Sequence, residues 1–127
     1  MNEIYTPISI GELLDKITIL QIKSTQIKDS EKLANINKEL QLLIDVCQKN
    51  NIDTNDFLVQ SLKKHNEELW EIEDQIRDKE RAKEFDEEFI RLARAVYFTN
   101  DKRADIKKKI NLQSGSSLVE EKSYNKY

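Results

Sequence analysis

The chain has 127 residues, 35 % of them charged, with 21 basic and 24 acidic side chains and a formal net charge of −3. That length suits one ordinary domain, and the acidic balance argues against nucleic-acid binding, which rests on neutralising phosphates. With only 2 Gly and 1 Pro, the turns of a β-sandwich are missing, and the composition suits helices with an apolar stripe and a solvated face.

The elements predicted in chain order make an all-α protein, an antiparallel bundle of about four helices followed by a C-terminal tail. The first helix has the clearest start. Ser9 can cap it, Glu12 completes a capping box, and Ile8 and Leu13 are placed as a hydrophobic staple. Its stripe runs Ile10, Leu13, Ile17, Leu20, Ser24, Ile27, with Ile19 and Ile22 off the line. So wide an apolar face predicts at least two packing neighbours.

Asp29 or Ser30 can cap the second helix, whose stripe is Leu33, Ile36, Leu40, Leu43, Cys47. Its short connection to the first implies an antiparallel pair. The helix stops at Lys49-Asn50-Asn51, where asparagine tolerates the left-handed conformation. Asp53 is the expected cap of the third helix, with Ile52 and Phe57 as its staple. The third stripe is Leu58, Leu62, His65, Leu69, Ile72, Ile76. A new stripe starts one position out of phase at Phe85 and runs Phe89, Leu92, Val96, Thr99, Arg103, Ile106, Ile110. The slip and the charged DKERAKE segment predict a break, with Asp86 capping the fourth helix. One long bent helix from about Asn55 to Asn111 is the alternative, since no Pro or Gly interrupts it. Gly115 is a helix stop. The helical domain is expected over 1–112 and the tail over 113–127, with Leu118, Val119 and Tyr124 available to strap it to the body.

Ser24, His65, Thr99 and Arg103 interrupt otherwise apolar rows. A buried polar side chain is costly unless it is paired. If the helices alternate in direction and rise ~1.5 Å per residue, His65, Thr99 and Arg103 fall near the start of the first helix. The candidate cluster is therefore Glu12, Asp15, Lys16, His65, Thr99, Asn100, Asp101 and Arg103. Ser24 lies too far along to join. Such a cluster can fix helix register, as polar seam residues do in coiled coils. It can also bind a small anionic ligand, with Arg103 and Lys16 on a carboxylate or phosphate and His65 moving a proton. The basic group Lys102, Arg103, Lys107, Lys108, Lys109 reads as a solvated helix end opposing the dipole.

Position 62 is Leu, so the single histidine cannot form the Glu-x-x-His pairs of di-iron bundles. No metal site and no cofactor are expected. Glu67, Glu68 and Glu71 in EELWE are similar to the first acidic motif of all-α nucleotide pyrophosphohydrolases. A second motif with the right spacing is missing, and Asp101 and Asp105 are the nearest offering. One cysteine, Cys47, rules out an internal disulfide and fits a reducing cytosol. No stretch approaches the ~20 apolar residues of a membrane span, and MNEIYTPISIGE lacks the apolar run of a signal peptide. A cytoplasmic protein with no membrane association is expected.

GELLDKITIL, ELWEIEDQIR, LARAVYFTNDKR and LVEEKSY occur in that order. With them the chain resembles an uncharacterised bacterial family of small all-helical proteins, a domain of unknown function. The resemblance implies a stand-alone helical domain that includes the LVEEKSY tail, and it carries over no activity. The functions left open are self-association or binding of a partner helix, binding or turnover of a small anionic ligand at the His65–Arg103 cluster, and a magnesium-dependent nucleotide hydrolase using Glu68 and Glu71.

Overall fold

A computed structural model describes residues 2–127 as four α-helices and an extended tail. Helix α1 spans Ile10–Gln26, α2 Ser30–Lys49, α3 Phe57–Ala82 and α4 Glu87–Ser114. Among the described residues, no helix is long and apolar enough to cross a membrane.

Each start is set by a side-chain cap that takes an otherwise orphaned backbone N–H. Ser9 Oγ accepts from the Glu12 N–H at 3.1 Å, and Asp29 accepts from Glu31 at 3.2 Å. The cap of α3 is Asp56 rather than the expected Asp53. Asp56 Oδ1 accepts from the N–H groups of Leu58 and Val59, at 2.7 and 3.1 Å. Asp53 instead closes a turn in the loop, accepting from the Asn55 N–H at 2.8 Å. The expected staple is also absent, since Phe57 is 82 % exposed while Ile52 packs against the core.

The phase slip between the third and fourth stripes marks a break rather than a bend. Lys83 takes the left-handed conformation at φ 54°, and the Glu84 N–H reaches back to the Lys79 carbonyl at 3.0 Å. Lys79 Nζ then ties the turn by bonding Glu84 and Asp86, each at 3.0 Å. Asp86 caps α4 through the Phe89 N–H at 3.0 Å, and α4 folds back along α3. Gly115, at φ 71°, ends α4 after Ser114, where the sequence places the stop.

Helix α1 is the hub, packing on α2, α3 and α4, whereas α2 packs on no helix but α1. The core gathers Leu13, Leu14 and Ile17 from α1, Cys47 from α2, Val59 and Leu62 from α3, and Ile106 and Ile110 from α4. The buried face of α3 is Val59, Leu62 and Asn66, one step round from the row that the spacing of Leu62 and His65 suggests. Only Cys47 is buried among the residues of α2.

Candidate functional site

Asp15 sits on the face of α1 turned toward α3 and α4 and is 3 % exposed. A carboxylate taken so far out of water needs partners for both oxygens. Oδ1 accepts from Asn66 Nδ2 at 2.8 Å, and Oδ2 accepts from Arg103 Nη2 at 2.6 Å. Lys107 Nζ adds a second cation at 3.6 Å. Asn66 Nδ2 also donates to Thr18 Oγ1 at 2.9 Å, and Thr18 donates to the Asp15 carbonyl at 2.8 Å. One polar layer therefore crosses the bundle and fastens α1 to both of its long neighbours.

The α1–α4 seam repeats with helical spacing. Gly11, Asp15 and Thr18 lie along one side of α1, and Arg103, Lys107 and Asn111 step by four along α4. Lys107 Nζ donates to Glu12 Oε2 at 2.6 Å and lies 3.5 Å from Glu120 of the tail. Asn111 Oδ1 accepts from the Gly11 N–H at 2.6 Å. The helices approach so closely here that a Cβ on Gly11 would stand 2.6 Å from the Lys107 carbonyl oxygen. Glycine is the residue that lets the seam close.

Burial pushes the Lys107 ammonium toward deprotonation. The hydrogen bond it donates to Glu12 and the charges of Asp15, Glu12 and Glu120 outweigh it, so the pKa rises above the ordinary 10.5. Two buried donors, Arg103 Nε and Asn111 Nδ2, have no acceptor. Burial alone raises the Cys47 thiol, a condition that disfavours the reactive thiolate.

Of the residues singled out in the sequence, Glu12, Asp15, Asn100 and Arg103 stand together, with Arg103 Nη1 donating to Asn100 Oδ1 at 2.7 Å. Lys16 is exposed on the outer side of α1. His65 precedes Asn66 and so points about 100° away round the helix; its Nδ1 lies 3.4 Å from Glu68 on the same helix. Thr99 is buried and faces a shallow groove beside Ile90 and Phe98. Asp101 is exposed and accepts from the Tyr127 hydroxyl.

Thr18, Asn66, Lys107 and Asn111 belong to the layer without having been singled out. Lys107 also corrects the reading of the basic run as a solvated helix end, since it is 8 % exposed and α4 continues past it to Ser114. Its four-residue step from Arg103 was the available signal.

Two openings border the layer, and Arg103 lines both. A groove of about 480 Å³ between α1, α3 and α4 has Ile19, Ile22, Leu69 and Trp70 as apolar walls, and Asn66, Asn100 and Arg103 also line it. A cleft of about 810 Å³ lies between α4 and the tail. Among the described residues, no group of three or more His, Cys, Asp or Glu side chains is placed to hold a metal ion.

No curated protein and no solved structure matches the chain. A family model does, over residues 4–127, and its description is a family of unknown function, DUF6165. The match takes in all four helices and the tail, so the chain belongs to the DUF6165 family.

Proposed function

We propose that this chain is a helical interaction module that pairs with a second copy of itself through α2. The observation that carries the reading is the one-sided packing of α2. It rests on α1 alone, and Leu33, Ile36, Leu40 and Leu43 of its apolar row remain only half-buried. Beside that row, Glu39, Leu42, Val46 and Lys49 form a stripe with helical spacing, and all four are exposed. Two such helices set antiparallel about a two-fold axis near Ile44 bring Leu42 against Val46 of the other copy and Glu39 against Lys49. The pairing is isologous and self-complementary, with apolar contacts inside and opposite charges at the ends. Light scattering tests it. A dimer that grows in with concentration is expected, and Leu42→Glu with Val46→Glu should abolish it. A monomer at every concentration overturns the reading.

A second reading has its own support. The apolar groove against Arg103 suits a small carboxylate with an apolar body, because such sites combine apolar walls with a few convergent polar groups. Arg103, Asn66 and Asn100 are polar groups beside the groove's apolar walls. A panel of apolar carboxylates should raise the melting temperature of the wild type and not that of Arg103→Met, since selective binding to the native state stabilises it. No shift with any of them ends this reading.

A further inference from the structure

The tail leaves α4 at Gly115 and runs back along it. The Ser116 N–H donates to the Asn111 carbonyl at 2.9 Å, and Ser116 Oγ accepts from the Ile10 N–H at 3.1 Å. Glu120 then stands 3.5 Å from Lys107, and Glu121 bonds Lys108 at 3.0 Å. At the far end Tyr127 gives its hydroxyl to Asp101, and its ring lies 5.4 and 4.8 Å from those of Tyr97 and Phe98. The contact points on α4 thus descend from Asn111 to Tyr97 as the tail ascends.

This attachment is shallow. Beyond Ser116, every tail residue except Val119 is exposed, and from there on the contacts with α4 named above are made by side chains. The Lys108–Glu121 pair is exposed on both sides and so adds little, and Glu120 reaches the buried Lys107 only from its half-exposed side. The tail also spans a cleft of about 810 Å³ that it does not fill. The outer face of α4 thus holds an extended peptide through two cations at one end and an aromatic pair at the other, with little to stop exchange.

We propose that this face of α4 is a docking surface for an extended acidic segment of a partner protein, and that the chain's own tail occupies it in the resting state. The segment that fits carries adjacent acids for Lys107 and Lys108 and an aromatic residue about six positions later for Tyr97 and Phe98. Asp101 and Asp105 line the same cleft. They repel a uniformly anionic strand, and so the surface favours a peptide over a nucleic acid. The tail acts as an intramolecular competitor whose effective concentration is set by its short tether.

The test uses the full chain and a fluorescent peptide of residues 116–127, SSLVEEKSYNKY, added in trans. Glu121→Lys and Tyr127→Ala together loosen the resident tail at exposed side chains that do not reach the buried layer. The loosened chain should bind the peptide about tenfold or more tightly than the wild type, because the tethered competitor no longer holds the site. Adding Lys108→Glu, a change at a half-exposed side chain, should remove that gain while the melting temperature stays put. Equal binding by the loosened and wild-type chains overturns the proposal. So does a gain that survives Lys108→Glu, or stronger binding of a single-stranded oligonucleotide of matching length.

Discussion

Asp15 neutralises two cations, and removing its carboxylate leaves the part-buried Arg103 with no acid partner while Lys107 keeps only the half-exposed Glu12 and Glu120. Breaking a fully buried pair costs about 3 to 5 kcal/mol; with Arg103 part-exposed and Lys107 still paired, Asp15→Ala should lose about 2 to 4 kcal/mol in denaturant titration. Asp101→Ala, on the exposed side of α4, should lose almost none. Gly11→Ala is expected to destabilise by about 1 to 3 kcal/mol through overpacking, even though alanine is the better helix former. The atom in the way is a backbone oxygen of α4, which cannot swing aside. Lys107 predicts a pH effect. Its pKa is raised on folding, so its stabilisation is present below the ordinary 10.5 and disappears as pH rises through the folded value. The stability difference between wild type and Lys107→Met should therefore shrink above about pH 10.5 in thermal melts.

At the scale of elements, the expected and the observed cap of α3 separate cleanly. Asp56→Ala should cost about 1 kcal/mol, while Asp53→Ala, which only loosens an exposed turn, should cost a few tenths at most. The helices were legible because three-and-four spacing and caps are local signals. Ser9, Asp29, Asp86 and Gly115 all do what their chemistry suggests. Which aspartate starts α3 was not legible, because Asp53 and Asp56 lie three residues apart and both are favourable caps. The same uncertainty in α3 hid Asn66. Counting from Leu62 to His65 selects one face, and counting from Leu62 to Asn66 selects the face that packs. Asp15 and Arg103 stood out early, Arg103 as a charge in an apolar row and Asp15 by its place near the start of α1. Lys107 did not, because a lysine in a basic run looks solvated until its neighbours are known. Glu12 shows the limit of a local motif. Its N–H serves the capping box, yet its carboxylate goes to Lys107 rather than back to Ser9.

Across the whole molecule, three packed helices form a unit fastened by a charged layer, with two lightly held parts on its flanks. The tail is one of them. Its docking leaves a spectroscopic mark, because the hydrogen bond to Asp101 pushes the Tyr127 phenol up to about 12. Ultraviolet titration should show a late-ionising tyrosine that returns to the ordinary value of about 10 in Asp101→Asn. A titration unchanged by that substitution would mean the tail does not rest there. Helix α2 is the other part, and the proposed function depends on it. Hydrogen exchange read along the chain at low and at high protein concentration tests that dependence most directly. Amides of α2 should gain protection as concentration rises, while those of α1, already enclosed by three neighbours, should not change. Exchange in α2 that is the same at both concentrations would contradict the account.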